Sequence, residues 1–258
     1  MPPAYIGVGL KTYLGHADTL AWARRVADTV CAHDAIRSGR VVFFAVPTFP
    51  QLVPVRDVFA GTPVRVGAQD VSRYGPGPYT GEVTAAELAE IGVGLVEIGH
   101  IERRRLFAES SEVVAAKATA ALSHGLTPLH CVGEIERADP PRAAAEVVAQ
   151  LAADLRGAPD GPILVAYEPV WSIGVPEPAP AEHIAVVAGA IRSHLAATPG
   201  REGSSVIYGG SARPGILPRV GASLDGLILG RVGHEMENLL RVIDEADALR
   251  SAQDGASF

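Results

Sequence analysis

The 258-residue sequence is 48% apolar and 20% charged and carries a formal net charge of -7, a composition that excludes a disordered or collagen-like chain and suits one large core. With no run of Lys and Arg, and no stretch near the roughly 18 unbroken apolar residues of a membrane span, neither nucleic acid nor membrane is an expected partner. The two cysteines, Cys31 and Cys131, show neither zinc nor disulfide spacing, and the start Met1-Pro-Pro-Ala-Tyr5 has no basic segment leading into an apolar one, so a reducing cytoplasm is the expected setting.

Along the chain, short apolar runs rich in β-branched residues alternate with longer stretches of helical period. Residues 5–10 read as a first strand, residues 17–32 as an amphipathic helix, and residues 41–46 and 64–68 as the next two strands. Thr84-Ala-Ala-Glu87 is a capping-box signature that opens a helix. A strand at 95–98 and a helix at 112–123 follow. Strands at 126–131, 163–167, 205–208 and 226–229 then alternate with helices at 142–155, 181–195 and 235–249. Ile163-Leu-Val-Ala166 and Gly226-Leu-Ile-Leu229 are continuously apolar, as a parallel strand buried on both faces requires. The count of eight strands, with no Gly-x-Gly-x-x-Gly turn after the first, favours an α/β chain closed into a (β/α)8 barrel over an open doubly wound sheet. The expectation is a single domain over residues 1–250 and a loose tail over 251–258.

In such barrels chemistry collects at the C-terminal ends of the strands, where the loops converge on one mouth. That rule singles out Lys11 after the first strand, His100 and Glu102 after the fourth, and Glu168 after the sixth. Gly209-Gly-Ser211 follows the seventh strand and Gly230-Arg231 the eighth. Each alone has a bland explanation: a lysine in a loop is usually solvated, and a lone histidine is usually structural. Together they supply a base, a cation, an acid and two glycine-rich anion sites at equivalent positions.

Several blocks carry a resemblance. Gly67-Ala-Gln-Asp70, Tyr79-Thr-Gly-Glu82, Glu97-Ile-Gly-His-Ile-Glu-Arg-Arg104, Phe107-Ala-Glu-Ser110, Cys131-Val-Gly-Glu134, Ala166-Tyr-Glu-Pro-Val-Trp-Ser-Ile-Gly174 and Tyr208-Gly-Gly-Ser211 resemble the signature blocks of the triosephosphate isomerase family, in order and from the first strand to the last. The resemblance implies a TIM barrel and a cofactor-free aldose-ketose isomerase acting on a small phosphorylated sugar. Glu168 would shuttle a proton through a cis-enediol. His100 would act as the electrophile, an assignment borrowed from the family, and Lys11 would set a positive charge beside the developing oxyanion. Glu102 is either an ion-pair partner or proton relay for Lys11, or a purely structural salt bridge. Gly174, Gly210, Ser211 and Gly230 would supply phosphate-binding N–H groups. Pro169-Val170-Trp171 and Glu177-Pro-Ala179 would hinge a lid with Ser172-Ile173-Gly174 at its tip, followed by Val175-Pro176 and met by Tyr208. Thr80 would cross a two-fold interface, so a homodimer is implied. No metal is required, and a site made from His100, His130 and Glu168 ranks far below that reading.

The chain also departs from the family. Gly9-Leu10-Lys11 stands where Asn-Trp-Lys is usual, so an amide that would touch the substrate is missing. Ile101 replaces a serine, and Arg231 replaces the second glycine of a pair. That arginine either reaches across as a bidentate phosphate ligand or points outward. Pro176 has no N–H to offer Ser211 in a closed lid. Because these changes surround the substrate, Gly9 would leave room for an additional carbon and hydroxyl. The reading places triosephosphate isomerase first, with its role in glycolysis and gluconeogenesis, and an isomerase of a four-carbon ketose phosphate such as L-erythrulose 1-phosphate second. A non-catalytic phosphometabolite sensor is the alternative from another class.

Overall fold

A computed structural model describes residues 3–175 and 177–255. Eight strands, β1 (Ala4–Gly9), β2 (Val41–Val46), β3 (Arg65–Ala68), β4 (Leu95–Ile98), β5 (Thr127–Val132), β6 (Leu164–Tyr167), β7 (Ser205–Tyr208) and β8 (Gly226–Leu229), run parallel. They close in sequence order, with Tyr5 of β1 beside Gly226 of β8. Around them lie α1 (His16–Thr29), α2 (Asp34–Arg37), α3 (Leu52–Val58), α4 (Ala85–Glu90), α5 (Ile101–Phe107), α6 (Ser111–Ser123), α7 (Pro140–Asp154), α8 (Ala181–Ala197), α9 (Ile216–Val220) and α10 (Met236–Gly255).

Every apolar run read from the sequence is a strand, because each is buried on both faces. One face packs on the helices in a continuous core that includes Trp22, Phe43, Tyr167 and Tyr208. The other fills the barrel with Phe44, Val46, Leu95, Leu129, Cys131, Leu164, Ala166, Ile207 and Ile228. Inward and outward residues alternate along each strand. A ring this small holds large inward side chains only where others are absent. Gly7 lies under the Phe44 ring, and a methyl group at Gly67 would stand 2.8 Å from Leu95 Cγ.

Helix ends follow local signals. Thr84 accepts from the Glu87 amide at 3.2 Å, as the capping box predicts, and Ser110 and Asp139 cap α6 and α7 in the same way. The helix expected over residues 17–32 stops at Thr29, and α2 follows it as a separate short helix capped by His33. Helices α3, α5 and α9 have 7, 7 and 5 residues, too short for a helical period to show in the sequence. Residues 251–255, expected as a loose tail, instead continue α10 to Gly255, and residues 256–258 lie outside the described residues.

Helix α5 begins next to His100, and buried charges hold it in place. Arg103 bonds Asp70 and Glu109, and Lys117 of α6 bonds the same two carboxylates at 2.6 Å each. Arg104 bonds Gly99 O and Asp154, which also pairs with the fully buried His130. Replacing Lys117 by Met leaves Asp70 and Glu109 with Arg103 as their sole shared cation. Unfolding free energy in urea should fall by about 3 kcal/mol, the usual result of breaking a buried ion pair; a loss below about 1 kcal/mol would show that the network contributes little.

Candidate active site

The strand ends enclose a cavity of about 280 Å³ lined by Gly9, Lys11, Glu97, His100, Glu168, Gly210, Ser211, Gly230 and Arg231, together with Ile173, Gly174 and Val175 of the loop after β6. Residues from five different strand ends, far apart in sequence, therefore meet in one space. Glu97, Glu168, Gly209 and Gly230 each lie two residues beyond an inward-facing core residue, and this period carries them into the mouth.

His100 is the N-cap of α5, and its Nδ1 accepts the Glu102 amide at 3.1 Å. Its Nε2 lies 3.4 Å from Glu168 Oε2. Burial works against a charged imidazole, but the Glu168 carboxylate outweighs it and draws the His100 pKa up to about 9. The Glu102 amide acts the other way, since a proton on Nδ1 would break the cap. The hydrogen-bond geometry decides the form of the ring: Nδ1 keeps its lone pair and Nε2 carries the proton.

Burial tends to raise the Glu168 pKa, yet the hydrogen bond from His100 Nε2–H and the Lys11 charge offset it and hold the carboxyl below its ordinary value. Two glycines make room for it. A methyl group on Gly209 would overlap the Glu168 carboxylate, and one on Gly133 would strike its backbone oxygen.

Lys11 takes a left-handed backbone, with φ of 46°, which is strained for a residue with a Cβ. The Gln69 amide holds that turn by donating to Lys11 O and Val46 O, each at 3.0 Å. The ammonium bonds Glu102 Oε1 at 2.5 Å. Burial lowers its pKa, but the Glu102 hydrogen bond and charge, with Glu168 and Glu97 behind them, leave it raised.

The loop after β6 leaves Glu168 through Pro169 and a short 3-10 turn over Val170–Ser172. Trp171 donates to Glu134 at 2.8 Å, and Tyr167 and His183 converge on the same buried carboxylate. The Ser211 hydroxyl reaches Ser172 O at 2.5 Å and Val175 O at 3.1 Å, while Tyr208 OH accepts the Ala179 amide at 3.4 Å. Pro176 lies outside the described residues, and the Ser211 contact runs to its neighbour's carbonyl.

Arg231 is exposed at the rim, its guanidinium 5.3 Å from the Tyr13 ring centre. Thr80 is exposed on the β3–α4 loop and does not line the cavity. Glu102 touches Lys11 from outside the lining. His130 is committed to Asp154, away from His100, and among the described residues no cluster of His, Cys, Asp and Glu is arranged to hold a metal ion. No helix of the described residues is long and apolar enough to cross a membrane, and both cysteines are free thiols. Glu97 lines the cavity although the sequence marks no role for it; its one signal is a charge inside the apolar run Leu95–Ile98. Arg213 and Tyr13 also line the cavity without any motif to mark them.

Fold and cavity together define a single-domain (β/α)8-barrel enzyme. The family model described as triosephosphate isomerase matches residues 4–246. L-erythrulose-1-phosphate isomerase from Pectobacterium atrosepticum is 43% identical over 95% of this chain and 96% of its own length. Triosephosphate isomerase from Roseiflexus sp. is 37% identical over 76% of this chain and 81% of its own. The crystal structure of triosephosphate isomerase from Bartonella henselae superposes with a TM-score of 0.80 and 28% identity, covering 95% of this chain and 99% of that one. This chain belongs to the triosephosphate isomerase family, and it is an isomerase of that kind.

The lowered Glu168 pKa keeps its carboxyl ionised as pH falls, and protonation is expected only below the ordinary glutamate value of 4.5. A 13C NMR titration of the Glu168 carboxyl measures this, and a midpoint above 4.5 would contradict the assigned charge state of Glu168.

Proposed function

We propose that this chain interconverts isomers of a phosphorylated four-carbon ketose, of the L-erythrulose 1-phosphate type, without a cofactor. The observation that carries the reading is the convergence of Lys11, His100 and Glu168 on one cavity, at the mouth of a family barrel. The choice of a four-carbon substrate rests on Gly9. A Cβ added there meets nothing nearer than 3.8 Å, so the cavity keeps the room that an asparagine would fill. The 43% identity to an L-erythrulose-1-phosphate isomerase over nearly the whole chain supports the same choice.

Glu168 removes the proton from the hydroxyl-bearing carbon beside the carbonyl. The C–H electron pair becomes the enediol double bond, and the carbonyl π electrons move onto oxygen, where His100 Nε2–H supplies a proton. Lys11 stabilises the charge that develops on that oxygen, while Glu102 fixes the ammonium in place. Glu168 then returns its proton to the former carbonyl carbon as the neighbouring hydroxyl gives up its own to His100 Nε2, restoring the ring, and becomes the new carbonyl. With a tetrulose phosphate both partners are ketoses; with a triose phosphate one is an aldose.

The phosphate sits against the N–H groups of Gly174, Gly210, Ser211 and Gly230, where backbone can approach an anion without side-chain bulk. Arg231 adds charge at that end. Closure of the lid over Ile173, Gly174 and Val175, hinged at Pro169–Trp171 and latched through Ser211 and Tyr208, excludes water from the enediol. Thr80 is assigned to a homodimer contact.

A triosephosphate isomerase is the second reading, favoured by the name of the Bartonella henselae structure and by the breadth of the signature blocks. A coupled assay with L-erythrulose 1-phosphate and dihydroxyacetone phosphate separates the two. Turnover of the tetrulose phosphate with the higher kcat/KM is expected, and Glu168→Asp, one methylene shorter, should lower it by about 100-fold or more. Turnover of neither compound, or equal rates for wild type and Glu168→Asp, sinks the isomerase mechanism.

Gly9→Asn refills the vacated space. Its kcat/KM for the tetrulose phosphate should fall about 10-fold to 100-fold relative to the triose phosphate, the range that a crowded methylene brings. An unchanged ratio would remove Gly9 from the specificity argument.

A further inference from the structure

Glu97 has no part in the proton transfer just described, yet it lies among the groups that perform it. It stands at the inward-facing position two residues after Leu95 on β4 and lines the cavity. The charged and titratable groups around it are His100, Glu168, Lys11 and Cys131. Among the described residues one hydrogen bond reaches its carboxyl, from Cys131 Sγ at 3.5 Å. A thiol is a weak donor, so the bond gives little return for a carboxyl half-buried in the cavity wall. Lys11 acts on it through its charge but makes no ion pair with it, because the ammonium is bonded to Glu102.

Two features narrow what Glu97 can meet. The glycine-rich anion sites follow β7 and β8, and in the closed ring β4 lies opposite β8. Glu97 therefore faces the end of the substrate that carries no phosphate. A carboxylate beside the enediolate would also oppose the charge of the transition state, unless it were protonated or matched to a neutral donor. Burial pushes the Glu97 pKa upward, which softens that conflict. A hydroxyl pairs with either form of the group, accepting from the acid or donating to the anion.

We propose that Glu97 is a specificity-determining residue whose carboxyl binds the terminal hydroxyl of the four-carbon substrate. The inference rests on the tetrulose-phosphate reading above. The extra hydroxymethyl group is attached to the carbon that Glu168 deprotonates, so its oxygen lies on the side of the cavity that Glu97 lines, and Gly9 leaves the space through which it passes. A three-carbon substrate has no such group and leaves Glu97 unused.

The test compares L-erythrulose 1-phosphate with its 4-deoxy analogue and with dihydroxyacetone phosphate, on wild type, Glu97→Leu and Glu97→Gln. Wild type should prefer the full substrate to the deoxy analogue by about 100-fold in kcat/KM, since a buried partner left unpaired is costly. Glu97→Leu should erase that preference, with a loss on the tetrulose phosphate at least about tenfold greater than on the triose phosphate. Glu97→Gln, of nearly the same shape, should weaken the preference and is the deciding variant where the leucine chain does not fold. The assignment is overturned by equal wild-type rates on the full and deoxy substrates, by a preference that survives both substitutions, or by losses that are equal on the tetrulose and triose phosphates. A wild type that turns over dihydroxyacetone phosphate alone defeats the tetrulose reading and this inference with it. A wild type that turns over the tetrulose phosphate without needing Glu97 defeats the inference alone.

Discussion

The Glu102 amide donates to His100 Nδ1, and the rest of the site is arranged around that bond. It commits one imidazole nitrogen to the helix cap and leaves the other, with its proton, facing Glu168. An acid and a base that compete for one proton are held in fixed roles by a backbone group that cannot titrate. The cap is as firm as α5 itself, which the barrel grips through Arg103 and Arg104 and the buried carboxylates they meet. An ion network that looks like a stability device thereby acts on the orientation of a ring at the cavity.

A second constraint is charge density. Glu97, Glu168, His100 and Lys11 line one cavity, where each group shifts its neighbours. Glu168 stays ionised because His100 and Lys11 outweigh burial, whereas burial dominates at Glu97. Two carboxyls of the same type are thus driven in opposite directions by their surroundings, the usual way in which one pocket separates chemical roles. The strained backbone at Lys11 belongs to the same design, since the left-handed turn, braced by Gln69, aims the ammonium at Glu102 and the cavity.

Much of this was legible in the chain. The strand runs are apolar because both faces are buried, so their existence and order followed from composition alone. Lys11, His100 and Glu168 stood out because polar residues at strand ends interrupt that pattern. Glu97 interrupts it too, within Leu95–Ile98, but a single charge inside a strand reads as background until its inward direction is known. The short helices α3, α5 and α9 were invisible for a different reason. A helix of five to seven residues completes fewer than two turns, well short of the window in which an apolar face shows its period, and tertiary packing supplies what periodicity does not. After residue 250, where a loose tail was expected, the backbone continues α10 to Gly255.

The sequence by itself determined the number and order of the strands, the family, and the residue types available for proton transfer, because these depend on local hydrophobicity and short motifs. Only the tertiary structure decided which of those residues face one another. Closure of the barrel turns a period of two along each strand into a ring of side chains at one mouth, and distance around that ring is unrelated to distance along the chain. The form of the imidazole, the placement of Arg231 over Tyr13, the Ser211 contacts to the lid and the presence of Glu97 in the cavity all depend on that closure. They are properties of space, and a linear pattern does not encode them directly.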